Sequence, residues 1–217
     1  DLFGEEQGIL PSQQWKRATR NQPWFPGETV ITGIGQGFWV VTPLQLAHAT
    51  ATLAAHGIRR TPHLLRATRD GFDGAVREVP LPMPQSLQVR DPANIDAVEA
   101  GLVAVMHSPT GTARAAAKGA PYLIAGKTGT AQRVGRTGAE SIDVNDLPFH
   151  LRHRALFVAY APADDPQIAL ALVVEHGGSG SAAAAPVARR ILDAWILRNE
   201  VRDAAATAPA PSTQAAR

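Results

Sequence analysis

Tyr122-Leu-Ile-Ala-Gly-Lys-Thr-Gly-Thr-Ala-Gln132 is the stretch on which the reading of this chain turns. A short apolar run rises into Gly126, and a cation, a hydroxyl, a second glycine and a second hydroxyl follow without a break. The pattern predicts a strand whose far end has lost its bulk, so that a ligand can lie along the backbone. Lys127 offers a positive point charge, Thr128 and Thr130 offer hydroxyls, and Gly129 offers clearance. That equips an edge to bind an anion or a carbonyl, but it includes no nucleophile.

Three readings of Gly126-Lys-Thr-Gly-Thr130 compete. A phosphate loop needs a glycine five positions before Gly126; that position is Pro121, and Gly119 lies too early. The following Val134-Gly-Arg-Thr-Gly138 is also a poor helix start, so this reading is rejected. The second is a sheet strand with a glycine bulge and no ligand, since Lys-Thr-Gly recurs by chance. The third is the lysine strand of the serine acyl-transfer enzymes, which combine Ser-x-x-Lys, a second Ser/Asn motif and Lys-Thr-Gly. There the strand edge pairs with an extended substrate, and a backbone N–H after the glycine holds the tetrahedral oxyanion. The tripeptide alone does not choose between the last two.

Upstream, two helices are expected. Thr42 as N-cap and Pro43 at the first position open one that Gly57 closes, with Leu46, Ala49, Thr50 and Leu53 on its apolar face. His48 and His56 on it are eight apart, a spacing that suits structural or surface roles better than metal ligation. Asp91-Pro92 opens the second, lined by Ile95, Val98, Leu102, Val105 and Met106; Gly101 inside it reads as a close-packing point. Thr112 to Ala117 reads as a further short helical piece. Between the two long helices, residues 58–90 are consistent with a strand or hairpin and a surface excursion around Asp70 to Gly74. Gly33, Gly35 and Gly37 fail the dinucleotide spacing and read as tight backbone packing before a helix. Residues 1–28 are loop-rich with an amphipathic stretch near Trp15, and Trp24 and Phe25 are expected to cap a core.

Downstream, Gln132 to His153 reads as a long polar loop, its His150 and His153 an exposed pair without a completed zinc motif. Ala155 to Ala161 and Ile168 to Glu175 read as an antiparallel strand pair joined by a Pro/Asp turn. Their unbroken apolarity implies cover on both faces. The Gly-rich run at 177–181 leads to a last helix with Val187, Ile191, Leu192, Trp195 and Ile196 on one wide face. The remainder, 203–217, is rich in Ala, Pro and Thr and reads as a disordered tail.

Lysine and arginine exceed the acids by 21 − 19 = 2, with both signs interspersed, which argues against a nucleic-acid-binding face. There is no cysteine, so a thiol nucleophile, thiolate metal sites and disulfides are excluded. The chain starts at Asp1 with no leader or long apolar span and is expected to be a piece of a longer protein.

Several stretches together resemble one family. Gly33-Ile-Gly-Gln-Gly-Phe38 leading to Thr42-Pro-Leu-Gln-Leu-Ala47, Ala125 to Gln132, Leu147 to Leu156, Ala155 to Pro162, Glu175-His-Gly-Gly178 and Ala185 to Leu192 are similar, in order, to the class B penicillin-binding protein transpeptidases of the penicillin-binding protein 2 type. The resemblance covers about residues 1–200. It implies an α/β (α+β) fold, the C-terminal part of a penicillin-binding transpeptidase or serine β-lactamase-like domain: a five-stranded antiparallel sheet covered by helices. Three strands would lie here, with 1–202 the C-terminal half of the transpeptidase domain. Carried over, Lys127 would organise the proton network and attract the substrate or penicillin carboxylate, and Thr128 would hydrogen-bond it. Gly129 would leave room for the acyl chain, and the Thr130 N–H would form half of an oxyanion hole.

The resemblance also implies peptidoglycan stem peptides and β-lactams as ligands and no metal or cofactor. It implies a place with the cell-elongation machinery on the periplasmic face of the inner membrane, anchored upstream. The departure is the nucleophile. None of the seven serines, Ser12, Ser86, Ser108, Ser141, Ser179, Ser181 and Ser212, has lysine three residues on. Ser141-Ile-Asp143 looks like the second motif but falls after the lysine strand, where the family has it before. Serine, lysine and second motif are thus expected upstream, and this segment alone is expected to be inactive. A β-lactamase or penicillin-sensing relative, or a non-catalytic peptide-binding or assembly module, remain alternatives.

Overall fold

The computed structural model describes residues 2–72, 74–132 and 147–207, with side chains as far as Arg198. Ser141-Ile-Asp143 and most of the loop expected after Gln132 lie outside the described residues.

The molecule is built on a three-stranded antiparallel sheet of β5 (Ala125–Ala131), β6 (Arg154–Ala161) and β7 (Ile168–Val174), in that order. The register pairs Lys127 with Val158 and Gly129 with Leu156, then Phe157 with Leu172 and Ala161 with Ile168. The expected strand pair is therefore present. On β6 every second residue, Ala155, Phe157, Ala159 and Ala161, is fully buried, and so is Tyr160 on the opposite face. Both faces of this strand are covered, as its unbroken apolar run requires.

Helices supply the cover. On one face, α6 (Ala185–Thr207), entered through a π-helical turn at Gly180–Ala184, packs Ala188, Leu192 and Ile196 around Phe157. On the other, α3 (Pro43–Ala54) and α4 (Ala93–His107) enclose Tyr160 with Ala54, Leu102 and Val103. The short α5 (Arg114–Ala117) leads from α4 toward β5 and buries Ala117 in the first cluster. α3 begins as expected: Thr42 Oγ1 accepts the Gln45 N–H and the Gln45 side chain accepts the Thr42 N–H, a reciprocal box before Pro43.

Before α3, α1 (Gln13–Arg20) is capped by Ser12, and α2 (Pro26–Gly33) starts with Pro26 and carries Glu28 back to the Phe25 N–H. Lys16, 1% exposed, is ion-paired with Glu28 and has its ammonium 4.4 Å from the Phe25 ring centroid. The expectation that Trp24 and Phe25 cap an apolar core is corrected. Phe25 is half-exposed and serves the Lys16 cation, while Trp24 Nε1 donates to Thr29 Oγ1. Between α3 and α4 run two small antiparallel pairs: β1 (Ile58–Arg59) with β4 (Gln85–Ser86), and β2 (Ala67–Arg69) with β3 (Val76–Glu78).

Five other expectations change. Gly35 and Gly37 meet a conformational need, with φ of 75° and 83°; tight packing holds only at Gly37, where a Cβ would come within 3.1 Å of Ile31 Cγ2, and Gly33 and Gly35 have no neighbour that a Cβ would touch. Gly101 likewise faces open space, so it marks no close packing. Ala49 and Val98 point outward from α3 and α4. On α6 the wide apolar face divides: Leu192 and Ile196 are buried, whereas Val187, Ile191 and Trp195 are exposed. α6 continues through 203–207, the first residues of the stretch read as a tail; residues 208–217 are outside the described ones. No helix among the described residues is long and apolar enough to cross a membrane.

Candidate active-site strand

β5 lies at the end of the sheet. β6 occupies one of its edges, and no strand among the described residues occupies the other. Its approach is fixed from both sides. The Ile124 N–H donates to His107 Nε2 at 2.9 Å, tying the last residue of α4 to the strand's entry. Tyr122 Oη donates to Asp193 Oδ1 at 2.6 Å, and Arg189 Nε donates to the same carboxylate at 2.8 Å, tying the entry to α6. Burial and the Asp193 contact push the Tyr122 hydroxyl well above its ordinary pKa. Burial works to raise Asp193, but its hydrogen bonds from Arg189 and Tyr122 prevail and hold it below the usual carboxylate value.

The glycines of the strand are required by packing as well as access. A Cβ at Gly126 would come within 2.7 Å of Phe157 Cζ, and one at Gly129 within 3.1 Å of Leu156 Cβ. From the Gly-rich run before α6, Gly180 presses on the strand: a Cβ there would sit 2.7 Å from the Gly129 carbonyl oxygen. Part of the clearance read at Gly129 is therefore used by the protein itself.

The four expected site residues stand together as β5 leaves the core. Lys127 is exposed, and its Nζ donates to the Thr128 carbonyl at 2.7 Å. Among the described residues it has no carboxylate partner, so its charge is available to an anion. Thr128 Oγ1 lies 3.4 Å from Thr112 Oγ1, in the segment between α4 and α5. The Thr130 carbonyl accepts from Gln36 Nε2 at 3.0 Å. In an antiparallel ladder a residue turns its N–H and C=O to one side, and neighbours alternate. Carbonyls at 128 and 130 engaged by side chains thus mark these residues as facing the free edge, with their N–H groups. The turn after α2 and residues 127–132 line a groove of about 440 Å³, with Trp39 and Leu46 in its wall.

Reading the sequence for site residues missed Gln36, Thr112, His107 and Gly180. Gln36 did leave a signal: it is the polar side chain in the run Gly33-Ile-Gly-Gln-Gly37. Among the described residues, the group whose ligand atoms could meet on a metal ion lies elsewhere. His56, Asp96 and Glu99 bring their ligand atoms within 4.8 Å of one another, but His56 and Asp96 are solvent-exposed and none of the three lines the groove.

The described part of the molecule is a helix-covered antiparallel sheet with a lysine on its outer strand. The chain belongs to the penicillin-binding protein transpeptidase domain family, which it matches over residues 1–193. It is 37% identical over 212 residues to the peptidoglycan D,D-transpeptidase MrdA of Escherichia coli, which spans 97% of this chain and 33% of that relative. Its structure resembles Pseudomonas aeruginosa PBP2 in complex with WCK 5153, with a TM-score of 0.73 and 46% identity over 91% of this chain and 40% of the other. It also resembles PBP2 in the complex with MreC from Helicobacter pylori, at a TM-score of 0.69 and 29% identity, covering 90% of this chain and 32% of the other. The chain thus spans about a third of the length of the curated relatives it matches.

Proposed function

We propose that this chain is the C-terminal half of a transpeptidase domain, and that the whole protein is a peptidoglycan D,D-transpeptidase acting in cell-wall elongation. The observation that carries the reading is β5, an unpaired sheet edge that presents Lys127 free of any carboxylate among the described residues, with Thr128 and Thr130 facing the same open side. The name of the Escherichia coli relative supports it.

In this reading a serine upstream of Asp1 attacks the carbonyl of the penultimate D-Ala of a stem peptide. The C–N bond to the terminal D-Ala breaks, and that residue leaves as the free amine. An amine of a neighbouring stem then attacks the acyl ester, forms the cross-link and returns the proton to the serine oxygen. The stem lies extended along β5 as an added strand. Lys127 draws its carboxylate and sustains the proton network, Thr128 hydrogen-bonds that carboxylate, and Gly129 admits the acyl chain. The Thr130 N–H donates to the oxyanion, where charge develops in a site partly shielded from water. A β-lactam, whose ring carbonyl and carboxylate copy the same pair, acylates the same serine. Anchoring upstream would hold the domain on the periplasmic side of the inner membrane, and the Helicobacter pylori complex with MreC supports a partner from the elongation machinery.

The full-length protein is expected to give a covalent band with a fluorescent penicillin on a denaturing gel, and the isolated segment none. Lys127→Ala in the full-length protein is expected to cut labelling by about a hundredfold or more with the circular dichroism unchanged. Parent-like labelling of a folded variant removes Lys127 from the mechanism. An unlabelled parent favours a non-catalytic peptide-binding module, and rapid loss of the label favours a β-lactamase.

A further inference from the structure

We infer that Gln36 is a positioning residue for acyl transfer, fixing the end of β5 so that the Thr130 N–H stays aimed at the developing oxyanion; the inference rests on the transpeptidase reading above. The hydrogen bond from Gln36 Nε2 to the Thr130 carbonyl joins residues 94 apart in sequence and bridges the two walls of the groove. Thr130 turns its carbonyl and its N–H to the same side of the strand. Holding one therefore restricts the rotation that would swing the other away. Among the described residues, β5 has no neighbouring strand at this edge to do so.

The turn that carries Gln36 is itself held. The Gly35 N–H donates to the Thr32 carbonyl and the Gln36 N–H to the Ile31 carbonyl, each at 3.0 Å. Gly35 and Gly37 take left-handed φ values on either side, and Trp39 Nε1 donates to the Thr32 carbonyl at 3.0 Å. A residue with a Cβ at 35 or 37 would be strained there, so the two glycines isolate one long side chain and aim it. A carboxamide is the fitting head group. It donates to the carbonyl without charge, whereas lysine or arginine would place a second cation beside Lys127 and compete for the same anion. Glutamate, ionised at neutral pH, would oppose an acceptor to an acceptor.

That last point supplies the test. In the full-length protein, the second-order rate of acylation by a fluorescent penicillin is measured for the parent, Gln36→Ala and Gln36→Glu between about pH 4 and 8, a window that reaches the ordinary glutamate pKa, with circular dichroism and Tm as fold controls at each pH. Gln36→Ala is expected to acylate about tenfold more slowly at every pH, the loss of one hydrogen bond's restraint. Gln36→Glu is expected to be as slow at pH 8 and to climb toward the parent's rate only as the pH falls to about 4, where a carboxyl of ordinary pKa, about 4.3, is largely protonated and again donates to Thr130. A side chain that merely braced the loop would leave the Gln36→Glu to parent ratio flat with pH, and that result overturns the inference. So does a Gln36→Ala variant that acylates at the parent's rate or faster, the latter making Gln36 an obstruction. An unlabelled parent overturns the transpeptidase reading and this inference together; a labelled parent with indifferent variants overturns this one alone.

Discussion

The sheet region, residues 93–198, and the N-terminal region, residues 2–92, hold together by different physics. The first contains nearly all of the buried apolar side chains: Phe157, Ile124, Met106, Leu192 and Ile196 surround β6. The second contributes Ala54 and little else apolar to a core. Phe3, Leu64, Phe72 and Met83 are among its large side chains left in solvent. What orders it is polar: the Lys16–Glu28 ion pair, the Phe25 N–H donated to Glu28 at the start of α2, the capping box of α3, and the Gln36 bond to β5. Burial scales with area removed from water and tolerates displacement, whereas a hydrogen bond fixes direction. The sheet region thus supplies stability and the N-terminal region supplies aim, and the groove lies where the two meet.

The largest test of that division is Phe157→Ala. The ring is 1% exposed, lies between β5 and α6, and is the reason for a glycine at 126. Its removal is expected to cost about 3–5 kcal/mol in denaturant or thermal unfolding. Phe72→Ala, at a site 98% exposed in the N-terminal region, is the matched contrast and is expected to stay within about 0.5 kcal/mol. Equal losses would erase the comparison.

A smaller effect sharpens it. The hydrogen bond from Lys16, followed by that from the Phe25 N–H, holds the Glu28 carboxyl below its ordinary value of 4.5. A carboxylate with a lowered folded pKa adds stability above its unfolded pKa and loses it as the pH falls through the folded one. Glu28→Gln is therefore expected to lower Tm at pH 7, by less than Phe157→Ala does, and the gap to the parent should close as the pH is taken down toward 3. A gap unchanged at pH 3 would mean that the carboxylate charge is not what holds Lys16.

Much of the sheet region was legible in the sequence, and much of the N-terminal region was not. Strands β6 and β7 declare themselves because unbroken apolar runs joined by Pro162-Ala-Asp-Asp-Pro-Gln167 have few other ways to fold. That Lys127 to Thr130 lie on a strand was legible because the apolar run before them leads straight into the motif. Periodicity could not say which half of the α6 stripe would be covered: it marks Val187, Ile191 and Trp195 as apolar in the same way as Leu192 and Ile196. Lys16 was illegible for a related reason, since composition assigns lysine to water and only the distant Glu28 and Phe25 make its burial tolerable. Gln36 needed the chain to close over 94 residues before its partner existed.

The smallest expected effect tests whether the polar devices of the N-terminal region each add a measured amount. Thr42 Oγ1 accepts the Gln45 N–H at 3.1 Å and donates to Glu5 Oε1 at 2.6 Å, so one hydroxyl caps α3 and fastens the chain before α1. Thr42→Ala removes both bonds and leaves a helix N–H without its acceptor, an expected loss of about 1 kcal/mol. Thr42→Ser keeps the hydroxyl and is expected to recover most of it, because serine caps at least as well as threonine. The pair separates the cap from the methyl group: if Thr42→Ser is as destabilised as Thr42→Ala, the contribution is packing. The start of the N-terminal region would then belong with the sheet region and not with the hydrogen-bonded one.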